Sequence, residues 1–311
     1  MQAAGAIHKR RAFPQTEARR AGAPFFATRR VGDRLRRALL KEGHNQTMTQ
    51  DSLRRRWRIG VVSYLNAKPL VAGLDGVVEL VFDVPANLPA LLDSGVVDAA
   101  LVPVVDLLHE DRSWRVLSDA CIGCDGETLT VRVFSRVSPG DVSRLHVDGD
   151  SHTSVMLAKI IWREVYGRPL EVVPFTGRET VSECEAILLI GDKVVQNTLI
   201  EYEIETDLGS AWKSLTSLPF VFAVWATPRG DDMSQLAGWL SDARDRGMHS
   251  AEMIAADFAP GLGWPVALAK RYLTSRLSFT LSGRHKQGMS RFLELARTYD
   301  LVPAGKELIF A

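Results

Sequence analysis

The architecture follows from one segment, Arg58-Ile-Gly-Val-Val-Ser-Tyr-Leu-Asn-Ala-Lys-Pro-Leu70. Ile59, Val61 and Val62 form the short apolar run that is typical of a strand covered on both faces. Polar side chains follow directly, and open α/β sheets bind their ligands at the carboxyl ends of strands. Pro69 stands where the first turn of a helix tolerates proline. The segment therefore predicts a buried strand, a polar turn and a helix in succession.

Two series of alternating strands and helices follow from this start. In the first series we expect strands at 77–84, 98–103, 114–117 and 128–135, and helices at 85–94 and 104–109. This order predicts a parallel sheet with right-handed crossovers. After a break at 138–141 we expect a second series, with strands at 144–147, 170–174 and 186–190 and a helix at 153–166.

The end of the chain completes the predicted architecture. An aromatic strand at 220–226 is expected to cross back to the first series, and helices are expected at 231–246, 250–258, 264–274 and 284–299. The pattern predicts an α/β protein with a two-lobed, type 2 periplasmic-binding-protein-like fold and a helical C-terminal tail. Lobe 1 would comprise 58–140 plus 222–311, and lobe 2 would comprise 141–221. Such folds bind small anions at helix N-termini that face the cleft.

Composition narrows the possible functions. The chain has 311 residues, of which 46% are hydrophobic and 24% charged, and contains no apolar run long enough to span a membrane. Residues 1–57 carry 14 basic residues (Lys+Arg) and 4 acidic residues (Asp+Glu), whereas the whole chain has 38 basic and 37 acidic residues. The remainder therefore has 24 basic and 33 acidic residues, a net charge of −9. An acidic folded part argues against nucleic acid as its partner. Three cysteines fit a reducing compartment, so we expect a cytoplasmic location.

The first 57 residues form a basic leader rich in arginine and alanine. They lack the continuous apolar core of a secretory signal. Three interpretations remain open: a disordered extension, a segment that precedes a true start at Met48, and a basic arm for nucleic acid or acidic lipid.

Polar residues after the first strand form one candidate binding site. Ser63, Tyr64 and Asn66 offer hydroxyls and an amide for hydrogen bonds to a ligand. In the alternative, the segment is a turn in which Asn66 caps the next helix. Gly191 and Asp192, after the strand at 186–190, are likewise either a cleft turn or a glycine followed by a helix-capping aspartate.

A second candidate site opens the helix predicted at 153–166. Ser151, Thr153 and Ser154 place hydroxyls beside backbone N–H groups that have no partner within the helix, at its positive dipole end. That combination suits a carboxylate or phosphate. Ordinary capping by Ser151 or Thr153 accounts for the same pattern, and we expect His152 to be a surface residue.

The other sequence motifs give little indication of a catalytic, metal or cofactor site. Cys121 and Cys124 have the spacing of a metal or redox pair, but no second pair accompanies them, so we expect no metal site. No Ser/His/Asp set, HExxH, Walker loop or Rossmann glycine fingerprint is present, and we expect no cofactor. In the aromatic strand we expect Phe222 to pack in the core, whereas spacing does not decide for Phe220 and Trp225.

Taken together, several segments resemble the MqnA family of menaquinone-biosynthesis proteins, the chorismate dehydratases of the futalosine pathway. The resemblance covers the chain from about residue 58 onward, in family order. The segments are Gly60-Val-Val-Ser-Tyr-Leu-Asn-Ala-Lys-Pro-Leu70, Asp98-Ala-Ala-Leu-Val-Pro103, Gly123-Cys-Asp-Gly126, Ser151-His-Thr-Ser154, Leu189-Ile-Gly-Asp192, Asp207-Leu-Gly-Ser-Ala-Trp212 and Leu218-Pro-Phe-Val-Phe-Ala-Val-Trp225.

The resemblance implies a carbon–oxygen lyase that converts chorismate, a small-molecule substrate, to 3-[(1-carboxyvinyl)oxy]benzoate and water. By position, Asn66 matches the family's catalytic-site asparagine, and a family serine falls at Thr130. Ser151, Thr153 and Ser154 match the segment that grips a substrate carboxylate.

Three positions depart from the family pattern. Thr130 keeps the hydroxyl but adds a methyl group, His152 replaces the arginine of Ser-Arg-Thr-Ser, and Arg132 occupies a strand position that is normally apolar. Two alternatives therefore stay open, a solute-binding protein of the same fold for a small carboxylate and a related lyase acting on another enol ether. A ligand-sensing regulator ranks last, because no helix-turn-helix pattern precedes Arg58.

Overall fold

The computed structural model describes residues 56–175, 184–196, 202–228, 232–303 and 305–310. The expectations for the basic leader lie almost entirely outside these residues and stay predictions. The strands of the described chain are β1 (Arg58–Val62), β2 (Glu79–Asp83), β3 (Ala99–Pro103), β4 (Trp114–Cys124), β5 (Val131–Ser135), β6 (Arg144–Val147), β7 (Glu171–Pro174), β8 (Ala186–Ile190), β9 (Ile204–Asp207), β10 (Phe220–Pro228) and β11 (Ser278–Thr280). Its α-helices are α1 (Leu88–Asp93), α2 (His152–Tyr166), α3 (Lys193–Gln196), α4 (Leu208–Thr216), α5 (Ser234–His249), α6 (Ala251–Phe258), α7 (Val266–Arg271) and α8 (Gly283–Thr298).

The strands form two mixed sheets. The six-stranded sheet has the order β11-β4-β10-β3-β1-β2, and the five-stranded sheet has the order β7-β6-β8-β5-β9. In the first sheet β1 is parallel to β2 and β3, whereas β10 runs antiparallel to β3 and β4. The return of the aromatic strand to the first sheet is confirmed. The prediction that the first sheet is parallel is correct only around β1.

One strand lies in a different sheet from the one predicted. The strand expected at 128–135 as part of the first series is β5 of the second sheet, antiparallel to both β8 and β9. The chain leaves the first sheet through Gly126 and Leu129, whose φ angles are 125° and 69°. Since the Asp207 carboxylate accepts the backbone N–H groups of Thr128 and Leu129, this turn is held in place. The change of sheet therefore precedes the boundary predicted at residue 141.

Several element bounds also differ from the predictions. The short strand expected at 114–117 extends through Cys124. The helix expected after β1 is a pair of 3₁₀ turns, Leu65–Ala67 and Pro69–Val71. The helix expected at 264–274 is α7 followed by a π-helical turn, Tyr272–Arg276. Strands β9 and β11, of four and three residues, were not predicted.

The core lies along the central strands, since β3 and β8 are buried at every position. An aromatic cluster joins the helical tail to the first sheet: Phe220 meets Trp212 and Phe292 edge-on, with ring centroids 5.3 and 5.0 Å apart. Trp225 is fully buried. These aromatic residues thus supply packing, which favours edge-to-face pairs.

Helix α5 packs directly on the 3₁₀ turns that follow β1. Gly247 allows this approach, because a side chain there would collide with the carbonyl oxygen of Pro69. Gly238, on the same helix, is exposed and has open space around it.

We expect Gly247→Ala to lower the free energy of unfolding by about 1–3 kcal/mol, because the added methyl group forces the helix away from the turn. Gly238→Ala is the matched control and should raise that free energy by up to about 1 kcal/mol, as alanine favours helix. Urea unfolding of both variants checks this. Equal stability changes in the two variants would contradict the close packing.

Candidate functional site

A cleft lies between the two sheets and borders about 500 Å³ of space free of protein atoms, a volume that includes open solvent at its mouth. We refer to this cleft as the cavity. Segments of both sheets contribute to its wall. The lining residues are Val62, Tyr64, Asn66, Pro85, Pro103, Ile122, Thr128, Thr130, Val131, Ser151, Ser154, Ile190, Gly191, Phe222, Ala223, Tyr272 and Leu277. Among these lining residues of the described chain none carries a charged side chain. The wall offers hydroxyl groups, one amide and apolar surface.

The two residues predicted to be catalytic face this cavity from opposite sheets. Asn66 lies on the 3₁₀ turn after β1, and its Oδ1 is buried without a hydrogen-bond partner in the described chain. Thr130 lies just before β5 and is 2% exposed. Its Oγ1 is 2.7 Å from the hydroxyl oxygen of Tyr272. The structure therefore brings Asn66 and Thr130 to one cavity, and their catalytic role stays a prediction.

The N-terminus of α2 also reaches the cavity. The Ser151 Oγ accepts the backbone N–H of Ser154 at 3.3 Å and lies 2.9 Å from the Ser154 hydroxyl. Ser151 is thus the helix cap and, together with Ser154, part of the cavity wall. Thr153 is fully buried beside them but does not line the cavity, because its Oγ1 accepts the backbone N–H of Val105 at 3.4 Å. An N-terminus with adjacent hydroxyls suits an anionic group.

Tyr64 and Gly191 form a close contact across the cavity wall. Gly191 has a φ of +61°, and a Cβ at this position would lie 2.6 Å from the Tyr64 ring. The Tyr64 hydroxyl donates to Asp150 at 2.7 Å. Burial, and then the neighbouring Asp150, hold the pKa of Tyr64 well above its usual range, so it stays a neutral donor. Ser63 is exposed, lies outside the wall and donates to the carbonyl oxygen of Asp83.

Asp192 does not line the cavity; it joins the segments that form it. Its carboxylate accepts the backbone N–H of Leu65 at 3.2 Å and the indole N–H of Trp264 at 3.0 Å. Asp192 follows β8 of the second sheet, whereas Leu65 follows β1 of the first. Burial raises the pKa of Asp192, and these two donors and Lys68 oppose that shift. The side chain therefore fixes the backbone next to Asn66.

Tyr272 and Phe222 line the cavity, although neither was predicted to be a site residue. Tyr272 was placed inside a predicted helix, and nothing in its neighbourhood distinguishes it from a core aromatic residue. Phe222 packs in the core, as expected, where its ring meets Phe220 edge-on, and it also reaches the cavity. Phe220 and Trp225 are core residues as well. Register shifts interrupt the pairing of β10 with β4. The side chains of this strand therefore do not follow a simple alternation between the two faces of the sheet.

Two unusual residues have structural partners. Arg132 forms ion pairs with Glu127 and Glu205 at 2.7 and 2.6 Å, so its charge at a strand position is compensated. His152 lies 2.9 Å from Asp106, which also pairs with Arg112. The hydrogen bond to Asp106 is the main cause that raises the pKa of His152. His152 therefore connects α2 to the segment after β3, and its ring does not line the cavity.

The cysteine pair singled out in the sequence is buried in the first sheet. Cys121 and Cys124 are buried in β4 as free thiols, and burial raises the pKa of both. Within the described residues, no group of three or more His, Cys, Asp or Glu side chains is placed to hold a metal ion. In the same part of the chain, no helix is long and apolar enough to cross a membrane.

Two sheets with a cavity between them define the class of periplasmic-binding-protein-like folds. Solved structures similar to this chain include a protein of Archaeoglobus fulgidus (TM-score 0.64, 16% identity, 79% of this chain and 98% of that one). Another is the periplasmic aliphatic sulphonate binding protein of Escherichia coli, with a TM-score of 0.55 and 12% identity. The match covers 80% of this chain and 94% of that protein. At these identities the likeness shows the fold alone, and it confirms the predicted fold class.

The chain belongs to the menaquinone biosynthesis family, whose model matches residues 57–298. A curated relative, the chorismate dehydratase of Thermus thermophilus, is 29% identical over 255 residues, which cover 76% of this chain and 93% of the relative. The family resemblance recognised in the sequence motifs is therefore confirmed.

We expect Asp192→Ala to lower the free energy of unfolding by about 1–3 kcal/mol, because two buried N–H donors lose their acceptor. Asp192→Asn keeps one acceptor oxygen and should lose less. Urea unfolding followed by tryptophan fluorescence measures both values. An alanine variant as stable as the wild type would show that the carboxylate does not hold the two segments together.

The His152–Asp106 contact should contribute stability that depends on pH. Because the folded state raises the pKa of His152, its contribution is complete below the unfolded pKa and is lost as pH rises through the folded one. The melting temperature of His152→Gln should therefore fall short of the wild type at about pH 5 and approach it at about pH 9. Asp106→Asn, which removes the partner, should reduce the same pH dependence. A difference in melting temperature that does not vary with pH would refute this contact.

Proposed function

We propose that this protein is a chorismate dehydratase, a carbon–oxygen lyase that converts chorismate to 3-[(1-carboxyvinyl)oxy]benzoate and water. The observation that carries the proposal is the cavity wall, on which Asn66 and Thr130 meet from opposite sheets without a charged neighbour. Membership of the menaquinone biosynthesis family and the activity named for the Thermus relative support it. Buried free cysteines fit the reducing cytoplasm that we predict as its location.

The reaction needs little from protein acids and bases. The ring carbon that carries the ether oxygen loses its proton, and that electron pair becomes a ring double bond. The neighbouring carbon then releases its hydroxyl group, so the ring becomes aromatic. Aromatisation supplies the driving force from within the substrate. The uncharged wall is consistent with this chemistry, because no side chain that lines it in the described chain is a carboxylate, lysine or histidine.

The base in this proposal is the enolpyruvyl carboxylate of the substrate. A carboxylate taken from water into an uncharged cavity becomes more basic, because burial disfavours its charged form. Fixing it beside the ring proton makes the transfer intramolecular, which gives a large orientation advantage. The same carboxyl group then returns the proton to the departing hydroxyl, so one water leaves and the protein gains and loses no proton.

The second carboxylate, on the ring, is assigned to the N-terminus of α2. Ser151 and Ser154 line the cavity there, and the dipole of this fifteen-residue helix favours an anion. In this arrangement the ring lies on Phe222, and its hydroxyl-bearing edge points to Asn66 and Thr130. Ser63, Thr153 and Asp192 act on the substrate only through the segments that they hold.

Incubating the full chain with chorismate and analysing the products by mass spectrometry tests the proposal. We expect a product that is one water lighter and keeps the enolpyruvyl group. Chorismate that returns unchanged from folded protein would contradict the activity. A shift of the melting temperature by chorismate without turnover would then favour the solute-binding alternative.

Asn66→Ala should lower kcat by about 10²–10³-fold and change KM much less, because the amide acts on the departing hydroxyl. Asn87→Ala, an exposed asparagine that is hydrogen-bonded to Asp83, is the control and should keep wild-type kinetics. Steady-state assays of both variants give the kcat and KM values to compare with the wild type. Equal losses in kcat and affinity would remove the orienting role from Asn66.

A further inference from the structure

Tyr272 occupies an unusual place in the cavity wall. It begins the π-helical turn Tyr272–Arg276, is 1% exposed and faces the cavity. Its ring stacks on Trp264, with centroids 4.9 Å apart and planes at 24°. Because Trp264 donates to Asp192, the joint between the two sheets also fixes the tyrosine ring. π-Helical turns are frequent at functional sites.

The hydroxyl of Tyr272 links the two candidate catalytic residues. It lies 2.7 Å from Thr130 Oγ1, and the Asn66 side chain is near enough to oppose, as a hydrogen-bond donor, the rise in the pKa of Tyr272 that burial causes. Since the Asn66 Oδ1 has no partner in the described chain, the amide reaches the tyrosine through its N–H group.

We propose that Tyr272 is a positioning residue that orients the Thr130 hydroxyl toward the departing group of the substrate. The chain of donors runs from the Asn66 amide to Tyr272, from Tyr272 to Thr130, and from Thr130 into the cavity. This inference rests on the proposed dehydration and adds a third residue to it.

The order of donors matches what the reaction needs. When the carbon–oxygen bond breaks, the electron pair goes to oxygen, which Thr130 stabilises by donating its proton in a hydrogen bond. The unpartnered Asn66 Oδ1 accepts the hydrogen of the departing hydroxyl and fixes its orientation. Each donor in the chain polarises the next. Burial keeps Tyr272 in its neutral form, so it holds its proton throughout while the substrate carboxyl group completes the water.

A double-variant cycle with full-length protein tests this inference. Tyr272→Phe keeps the ring and its stacking on Trp264 but removes the hydroxyl, and should lower kcat about tenfold. In a Thr130→Val background the same change should alter kcat by less than about twofold, because the group that it orients is gone. In a Thr130→Ser background, which restores a hydroxyl, it should again cost about tenfold.

Affinity for the product provides a readout that separates positioning from packing. The product lacks the departing hydroxyl, so Tyr272→Phe should leave its dissociation constant, measured by calorimetry, within about twofold of the wild type. Equal kcat losses from Tyr272→Phe in the valine and serine backgrounds, or a large loss of product affinity, would overturn the inference while leaving the dehydratase in place. Wild-type protein that leaves chorismate intact would overturn the proposed function and this inference together.

Discussion

A buried carboxylate holds the two sheets of this protein together. Asp192 follows the central strand of one sheet, and its oxygens accept the backbone N–H of Leu65, just after β1 of the other sheet, and the indole N–H of Trp264 in the helical tail. Leu65 precedes Asn66 in the chain, and Trp264 carries the stacked ring of Tyr272. This one acceptor therefore contacts the residue before Asn66 and the indole on which Tyr272 stacks, and both Asn66 and Tyr272 line the cavity. An unpaired carboxylate at this depth would be costly, so its two donors and the nearby Lys68 make the arrangement possible.

The cavity that results is polar without being charged. Hydroxyls, an amide and the N-terminus of α2 can bind an anion and orient a hydroxyl group, but they are poor bases at neutral pH. The substrate class that such a wall serves is one that carries its own base and gains stability from the reaction itself. The dehydration that we propose has both properties. In periplasmic-binding-protein-like folds a ligand is enclosed between two sheets, and here the same enclosure would exclude water from a reacting ring.

Much of the fold was predictable because the buried strands are short apolar runs that are easily recognised in the sequence. The apolar runs of β1, β3 and β8 are buried at nearly every position. Of the residues that follow β1 and β8, Tyr64, Asn66 and Gly191 line the cavity, whereas Ser63 and Asp192 do not. The sequence did not reveal that β5 belongs to the second sheet. The chain turns at Gly126 and Leu129, and the Leu129 N–H is held by Asp207, which lies 78 residues further along the chain. The contacts of Tyr272 and Asp192 could not be predicted for the same reason: they depend on partners far away in the chain, which local patterns do not encode.

The most direct measurement is a crystal structure of the protein with 3-[(1-carboxyvinyl)oxy]benzoate. We expect the ring to lie between the sheets, against Phe222, with one carboxylate at the N-terminus of α2 and the edge that lost the hydroxyl facing Asn66 and Thr130. A product bound outside this cavity, or bound within it with that edge turned away from Asn66 and Thr130, would contradict the account.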